Sequence, residues 1–304
     1  MRLIKNWVLA TFVLCFLVII AGGIVRTTQS GMGCPDWPKC FGKWIPPTQS
    51  SELPADFEKY LGKQDIDHSF NAWHTWIEYI NRLLGVLLGL FGIIQLLLLF
   101  KQRKSSRTAF RLGIAFLVTV ILTGLFGAIV VKLNLAHLSI SVHLLFAILL
   151  LQIQLALLLT LNNRLGTMKM AGVARLLLII FLVLLFSQSI LGTMVRIYVD
   201  DISKMLGYGQ RELWLKDHPL SFLIHRSFSW VVLLGGLALV WKHKHSELSG
   251  QFKYLALVLL SNMTLGIILY YADVPAWAQP LHLLLAAVVF TQTVALVLQT
   301  KKIP

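Results

Sequence analysis

The sequence predicts an all-α integral membrane protein whose eight transmembrane helices form two pseudo-symmetric four-helix bundles. Of its 304 residues, 57% are hydrophobic and only 13% are charged, and the mean hydropathy is +0.75. A soluble domain carries about 25% charged residues, so this composition is typical of a chain embedded in lipid. The second observation is a set of long apolar runs, and the third is a repeat of short motifs between the two halves of the chain.

Eight apolar runs are long enough to cross a bilayer core of about 30 Å, which takes roughly 18 or more residues. They occupy residues 7–25, 77–100, 112–131, 140–161, 173–195, 220–241, 254–271 and 280–298. The first run lacks a small-x-small cleavage site, so we expect it to stay as a helix and not to be removed as a signal peptide. An N-terminal half, residues 1–165, and a C-terminal half, residues 166–304, each hold four of these runs.

Lysine and arginine are concentrated in alternate loops, which indicates the orientation of the helices because cytoplasmic loops carry the excess of these residues. The predicted cytoplasmic set comprises Arg2, Lys5, Lys101, Arg103, Lys104, Arg107, Arg111, Arg164, Lys169, Arg175, Lys242, Lys244, Lys253, Lys301 and Lys302. Both termini are therefore predicted to be cytoplasmic, and the long loops at residues 26–76 and 196–219 to lie outside. This topological signal accounts for much of the net charge of +14, so nucleic acid is not expected as a partner.

Four polar residues recur near the starts of the second, fourth, sixth and eighth helices, namely Asn81, His143, His225 and His282. These helices are predicted to run inward from the outer face, so their polar side chains are expected within the first turn or two, at similar depth. Buried polar groups in a membrane are rare and usually functional. Neighbouring residues repeat as well, because Asn81 and His225 are each followed by arginine, and His143 and His282 by two leucines. Glycine-containing motifs also match between the halves, at residues 22–26 and 191–196 and at 123–127 and 264–266.

In the C-terminal half, His225 and His282 can ligate one metal cofactor from two sides. Two neutral imidazoles on opposite faces of an iron porphyrin make a six-coordinate b-type haem site. Arg226 follows His225, and a guanidinium is suited to pairing with a propionate carboxylate. The alternative is that each histidine is a helix-end residue hydrogen-bonded near the interface, but the repetition at matched positions favours the haem site.

The N-terminal half differs, because His143 is matched there with Asn81, and an amide is a poor haem ligand. An iron held from one side leaves its other face open for substrate chemistry. Other candidate ligands are His74, seven residues before Asn81, His68 further out, and His137 in a short outer loop. We prefer to interpret His74 as an interfacial histidine in an aromatic belt with neighbouring tryptophans.

Glu78 is an acidic side chain near the start of the second helix, three residues before Asn81 and close to the same face. A carboxylate at this depth is costly unless it is paired or takes part in proton chemistry. Arg82, four residues on, offers an ion-pair partner, and a role of Glu78 in catalysis or proton transfer is the alternative.

Cys34 and Cys40 lie in the first outer loop, where two cysteines outside the cytoplasm are expected to form a disulfide. The bond is either a structural staple or a readily reducible pair, because the loop is short and expected to be exposed. A zinc site is not favoured, since two more ligands at suitable spacing are not evident. Cys15 in the first helix is interpreted as ordinary packing.

These residues together resemble the haem A synthase family, and the resemblance runs over essentially all eight helices. It is carried by Cys34 and Cys40 in the outer loop, Glu78 and Arg82 in the second helix, and His143, His225, Arg226 and His282. It implies an enzyme that oxidises the C8 methyl group of haem O to a formyl group by successive hydroxylations, giving haem A for cytochrome oxidase. The chain departs from the family pattern at Asn81, because the pattern there is Glu-x-x-His-Arg.

The resemblance implies a haem O site in the N-terminal half and a haem b site in the C-terminal half. The implied cofactor contacts are His143, Asn81 and Arg82 in the first, and His225, His282 and Arg226 in the second. His225 and His282 are expected to ligate the haem b iron, and His143 the iron of the substrate haem. Glu78 is expected to be the catalytic carboxylate, and the cysteine pair to serve redox transfer or loop stabilisation.

As partners, the resemblance implies haem O synthase, cytochrome oxidase assembly proteins and an electron acceptor of unknown identity, with the sites toward the outer face of a bacterial inner membrane. The source of the formyl oxygen and a homo-oligomeric state stay open. Two other functions also stay open. A b-type cytochrome passing electrons between quinol and a partner would use His225 and His282 but would need no asymmetric half. A transporter would explain the repeat but not histidines at matched depth.

Overall fold

The computed structural model describes residues 1–61 and 70–302 and contains eight long helices within them. Their bounds are α1 Arg2–Thr27, α2 Ala72–Phe100, α3 Arg107–Lys132, α4 His137–Leu161, α5 Gly172–Met205, α6 Leu220–Lys242, α7 Ser249–Tyr271 and α8 Ala278–Gln299. They are 22 to 34 residues long, and each is apolar enough to cross a membrane. The prediction of an all-α, multi-pass membrane protein with eight spanning helices is confirmed.

Large apolar side chains cover the outward faces of these helices. Leu97 of α2 is 63% exposed and Val183 of α5 is 58% exposed. Water would disfavour such faces, whereas the hydrocarbon core of a bilayer solvates them.

The chain forms two compact units, Met1–Leu161 and Asn162–Pro304. In the first unit each of the helices α1 to α4 packs against the next, and α4 closes the ring against α1. In the second unit α5 to α8 follow the same cyclic order, with α8 packed against α5. Each unit is therefore a four-helix bundle in which the second and fourth helices lie on a diagonal.

One packed cluster of the first unit lies at the end where α1 begins and α2 ends. Its buried apolar side chains are Ile4, Val8, Leu99, Ala109, Leu157 and Leu161. Gln95 and Gln154 exchange two amide hydrogen bonds there, at 3.1 and 2.6 Å, and the Gln154 amide also donates to the Val8 carbonyl at 2.9 Å. These bonds satisfy polar groups that lipid and apolar side chains could not. Cys15 of α1 is buried as well, in agreement with a packing role.

A packed cluster of the second unit also lies at one end of its bundle. It comprises Met170, Ala174, Leu178, Phe181, Leu185, Val232, Leu233, Leu239, Leu248, Phe252, Leu255, Val258, Leu259, Val289 and Leu296. At the same end a strand β1, Met168–Met170, pairs in parallel with β2, Thr300–Lys302. This pairing joins the beginning of α5 to the end of α8.

The remaining described elements are short and lie outside the bundles. Two are 3₁₀ turns, Ser50–Glu52 and Arg211–Leu213, and one is a single helical turn, Glu58–Leu61. They belong to the two loops that the sequence places outside the membrane.

Helix α5 is longer than predicted and continues to Met205, so the first part of the predicted loop 196–219 is wrong. The apolar run of α5 ends where the first charged residues appear. The face of the helix that packs on other residues continues beyond that point. Val199 remains buried on that face and packs with Trp214. Hydropathy therefore underestimates the length of a helix whose last turns pack on a loop.

Helix α2 begins at Ala72, earlier than the predicted residue 77. Asn71 precedes it as the N-cap, and its side-chain oxygen accepts hydrogen bonds from the backbone N–H groups of Trp73 at 3.0 Å and His74 at 3.3 Å. Asn81 therefore lies in the third turn of α2, and the prediction of the first turn or two was wrong for this residue.

Candidate functional site

Three histidines inside the bundles each lie against a glycine of the preceding helix. The pairs are His143 with Gly127, His225 with Gly192, and His282 with Gly266. A Cβ atom added at any of these glycines would lie 3.3 to 3.4 Å from the imidazole Cε1 atom. Because glycine has no side chain, each imidazole ring can lie directly against a helix backbone. The sequence repeat contained these glycines but did not indicate this contact.

The His282 imidazole is held by a hydrogen bond to the helix beside it. Its Nδ1 atom is 3.1 Å from the backbone carbonyl oxygen of Asn262. A carbonyl oxygen only accepts, so Nδ1 carries the proton and the lone pair of a neutral imidazole is on Nε2. This is the arrangement by which metal-binding histidines are usually oriented.

His225 and His282 come from α6 and α8, the diagonal pair of the second bundle. Gln188 of α5 donates from Nε2 to the His225 carbonyl at 3.1 Å. Three atoms around the pair are buried without a hydrogen-bond partner among the described residues, namely Nδ1 of His225, Oε1 of Gln188 and Oδ1 of Asn262. Unpartnered buried polar atoms of this kind call for an explanation, and a bound group is one.

This end of the second bundle fits a haem. The fully buried members of the apolar cluster end at Val232 on α6 and Val289 on α8, about two turns from the histidine of each helix, and only partly buried side chains such as Phe228 and Leu285 lie nearer. Two histidines on diagonal helices would offer imidazole nitrogens to a haem iron from two sides. In the described part of the chain, no group of three or more His, Cys, Asp or Glu side chains could hold a bare metal ion.

Gln188 and Asn262 are site residues that the sequence analysis missed. Each lies four residues before a glycine that contacts a histidine, Gly192 and Gly266 respectively. Residues four apart share one face of a helix. A polar residue one turn before a glycine in an apolar helix is the signal that could have identified them.

Arg226 is exposed on α6, next to His225. Its guanidinium carbon lies 5.7 Å from the centroid of the Phe222 ring. An exposed guanidinium keeps N–H groups accessible to a carboxylate, so the arrangement is compatible with the predicted propionate contact.

The first bundle provides an unequal pair at the corresponding places. His143 of α4 packs on Gly127, and its Nδ1 atom is buried without a partner among the residues described. Asn81 lies on α2, the helix diagonal to α4, and its Oδ1 atom is likewise buried and unpartnered within the described ranges. One imidazole and one amide are therefore available for a group bound in this bundle.

The Glu78 carboxylate is buried, and both of its oxygen atoms are engaged. Oε2 accepts a hydrogen bond from the backbone N–H of Cys34 at 2.7 Å. Oε1 accepts from Nε of Arg82 at 3.1 Å and also forms an ion pair with Nη2 of that guanidinium. The ion pair that the sequence offered as one alternative is present, and the catalytic role of Glu78 stays a prediction.

The remaining N–H groups of Arg82 bind the loop that carries the cysteines. Nη1 donates to the carbonyl oxygens of Asp36 at 2.6 Å and Lys39 at 3.0 Å, and Nη2 donates to that of Cys34 at 2.6 Å. Together with Glu78, these acceptors use all five N–H donors that an arginine side chain has. The predicted contact of Arg82 with a cofactor would therefore require one of these bonds to be exchanged.

Cys34 and Cys40 form a disulfide, as predicted. Both residues are fully buried and pack with Phe41, so the expectation that the pair lies exposed was wrong. The Asp36 carboxylate closes the turn between them by accepting hydrogen bonds from the backbone N–H groups of Phe41 at 2.6 Å and Gly42 at 2.8 Å. The loop shields its own disulfide because it folds as a compact turn against α2.

The three other candidate histidines have different surroundings. Nδ1 of His74 is 3.2 Å from Nδ2 of Asn71, an amide nitrogen that only donates, so the proton of a neutral His74 is on Nε2. Ligation of iron by His74 would require that bond to be exchanged. His137 is the first residue of α4 and not part of a loop as predicted, and His68 lies outside the described residues.

His218 was not singled out from the sequence. It precedes His225 by the same seven residues that separate His74 from Asn81. Its Nε2 atom lies 2.5 Å from the phenol oxygen of Tyr270. In the second unit, the histidine at this offset thus lies just before α6 and is hydrogen-bonded to a tyrosine of α7. This arrangement supports the interfacial interpretation of His74.

Comparison with known proteins gives a family match over nearly the whole chain. The model of the COX15-CtaA family, described as "Cytochrome oxidase assembly protein", matches residues 5–294. A protein of Flavobacterium psychrophilum named "Heme A synthase" is 23% identical over 323 residues, covering 94% of this chain and 95% of that protein.

Two further curated relatives named "Heme A synthase" match shorter segments. The protein of Shewanella oneidensis is 30% identical over 141 residues, or 46% of this chain and 40% of that protein. The protein of Orientia tsutsugamushi is 28% identical over 160 residues, or 48% of this chain and 44% of that protein. The chain thus aligns with less than half the length of these two relatives.

Proposed function

The chain belongs to the COX15-CtaA family of cytochrome oxidase assembly proteins, and we propose that it is a haem A synthase. In this proposal it oxidises the C8 methyl group of haem O to a formyl group. The observation that carries the proposal is the set of three histidines packed on glycine, with Asn81 at the remaining position. The alternative of a b-type cytochrome has no support from the relatives, whose shared name is that of the synthase.

The second unit would hold a haem b between His225 and His282. Haem bound there supplies reversible one-electron transfer. The Asn262 carbonyl accepts a hydrogen bond from Nδ1 of His282, which would leave the Nε2 lone pair free to bind the iron. Arg226 would pair with a propionate from its exposed position on α6.

The first unit would receive haem O as the substrate, with His143 as the protein ligand of its iron. The amide of Asn81 lies on the diagonal helix and is a poor ligand for iron, so it would leave one side of the iron open for substrate chemistry. The matching residue in the second unit is His225, a strong ligand. In this proposal, the difference distinguishes a site for a permanently bound haem from a site for a haem that is oxidised as the substrate.

Glu78 would serve as the catalytic carboxylate. It holds or moves a proton while the methyl carbon is oxidised, and to do so it exchanges one of its bonds to Cys34 or Arg82. Each of two successive hydroxylations is a two-electron oxidation of that carbon. The geminal diol that results loses water and leaves the formyl group.

The proposed reaction requires partners that supply its substrate and partners that receive its product and its electrons. A haem O synthase supplies the substrate, proteins that assemble cytochrome oxidase receive haem A, and a separate acceptor takes the electrons. Lysine and arginine at the packed ends of both bundles support cytoplasmic termini and haem sites toward the outer face of a bacterial inner membrane.

The test is haem extraction from cells that make haem O but have no other source of haem A. Chromatography of the extract should show haem A only when this chain is expressed. A His282→Ala variant should abolish the product, and a His245→Ala variant, which changes an exposed histidine after α6, should not. Equal amounts of haem A with and without the chain, or none in either, would contradict the proposal.

A further inference from the structure

We infer that Arg82 is a positioning residue that fastens the cysteine loop, residues 33–44, and the Glu78 carboxylate together. This role takes the place of the predicted contact between Arg82 and the haem of the first unit. The inference stands on protein contacts alone and does not rest on the proposed function.

The first support is the completeness of the Arg82 contacts. Only 14% of its side chain is exposed, and only 6% of that of Glu78. Three carbonyl oxygens of the cysteine loop and one carboxylate oxygen accept all of its N–H groups. Hydrogen bonds from a charged donor are about twice as strong as neutral ones, and here they join a loop to a helix more than forty residues away in sequence.

The second support is the face of α2 on which the loop docks. Thr75 donates from its hydroxyl to the Gly33 carbonyl at 2.9 Å, and Tyr79 donates from its phenol to the Trp44 carbonyl at 2.7 Å. Thr75, Glu78, Tyr79 and Arg82 have the spacing i, i+3, i+4 and i+7, which puts them on one stripe of a helix. The loop is therefore bound at both of its ends and at its centre by one continuous face.

The third support is the close approach at Gly33. A Cβ atom added there would lie 2.3 Å from the backbone oxygen of His74 and 2.8 Å from the backbone nitrogen of Thr75. Atoms of the α2 backbone cannot move aside as a flexible side chain could. The cysteine loop can take this position only because residue 33 is glycine.

The second unit shows that this role is not general for the repeat. Arg226 follows His225 as Arg82 follows Asn81, but Arg226 is exposed, and Phe222 stands where the first unit has Glu78. The carboxylate that would fasten an arginine is therefore missing there. The two arginines look equivalent in sequence and differ in what they bind.

The consequence is that the orientation of Glu78 and the conformation of the cysteine loop are coupled. Oε2 of Glu78 is held by the N–H of Cys34, and Oε1 by Arg82, which itself holds the loop. If Arg82 is removed, the loop opens more often, and the buried disulfide then meets solvent.

The experiment measures how fast the Cys34–Cys40 disulfide is reduced in membranes that contain the whole chain. Dithiothreitol is added, and the thiols formed are counted by the gel shift that a polyethylene glycol maleimide causes. Arg82→Gln should accelerate reduction by at least about 10-fold, because several charge-assisted hydrogen bonds are lost. Arg82→Lys keeps the charge and should restore part of the protection. Buried Cys15 gives the same background in every sample.

Two further variants make the result specific. Arg226→Gln is the matched control and should leave the reduction rate unchanged. Gly33→Ala alters no charge but displaces the loop, so it should accelerate reduction as Arg82→Gln does, and it also carries the test if Arg82→Gln does not accumulate. Reduction of Arg82→Gln at the wild-type rate, or equal acceleration by Arg226→Gln, would overturn the inference. Haem A production need not be measured, so failure here is distinguishable from failure of the proposed function.

Discussion

Replacement of Gly266 with alanine probes whether glycine orients His282, the proposed ligand of haem b. The new Cβ atom would lie 3.4 Å from Cε1 and 4.0 Å from Nδ1 of the imidazole. The first distance is at the short limit of ordinary van der Waals contact, so the added methyl group presses on the ring and favours a small shift of it. The hydrogen bond from Nδ1 to the Asn262 carbonyl is already 3.1 Å long, and the same shift would weaken it.

The expected magnitude follows from that bond. A typical protein hydrogen bond contributes about 0.5 to 1.5 kcal/mol, and about 1.4 kcal/mol corresponds to a tenfold change in affinity. Loss of a group that orients a metal ligand typically weakens binding roughly 10- to 100-fold. We therefore expect Gly266→Ala to weaken haem b binding by about 10-fold. Helix propensity acts in the opposite direction, since alanine in a helix interior is about 1 kcal/mol more favourable than glycine.

The assay compares haem content and thermal unfolding of the same purified protein. Haem b per chain is measured by pyridine haemochrome, and affinity by titration of haem into the apoprotein. Gly250→Ala is the control, because it lies in the same helix and its Cβ atom would meet nothing within 4 Å. The control should keep its haem affinity, whereas Gly266→Ala should lose affinity without losing stability of the apoprotein.

One result would refute the reasoning. If Gly266→Ala binds haem b as tightly as the wild type and keeps its absorption spectrum, the contact with His282 does not orient a ligand. Parallel loss of haem by Gly250→Ala would show that a new alanine in α7 lowers haem affinity without touching the imidazole, and the argument from the imidazole contact would fail too.

Three more outcomes are expected. Asn81→His should suppress carbon monoxide binding to reduced protein loaded with haem O, because an imidazole would occupy the axial position that the amide leaves open; an unchanged difference spectrum would contradict this. His74→Ala should leave haem content and haem O conversion unchanged, because its Nδ1 atom is bonded to Asn71 at the start of α2, and a loss of either would revive His74 as a ligand. Phe181→Ala should lower the melting temperature of the protein in detergent, since removal of a buried phenylalanine costs about 3 to 5 kcal/mol, whereas exposed Phe186→Ala should have little effect.

The helices could be predicted because crossing a bilayer requires a long apolar run, and such runs are visible in the composition of each segment. Their ends could not be predicted as well. Helix α5 continues to Met205 because Val199 packs on Trp214, and α2 starts at Ala72 because Asn71 caps it. These contacts involve individual side chains that a hydropathy average does not register.

The candidate site was predictable only in part. The repeat indicated His143, His225 and His282, because their positions near the helix starts match between the halves. Gln188 and Asn262 were missed, since a single amide in an apolar helix has no distinctive pattern until the glycine one turn later is known to contact a histidine.

By itself, the sequence determined that the chain crosses a membrane eight times and places polar residues at matched positions in its two halves. Both conclusions depend on local composition and spacing, which the linear chain already contains. Only the tertiary structure decided that Arg82 binds the cysteine loop while Arg226 stays exposed. The physical reason is that the acceptors of Arg82 are backbone carbonyls of a distant loop. Every residue has such a carbonyl, so nothing in the sequence marks the ones that folding brings to the guanidinium.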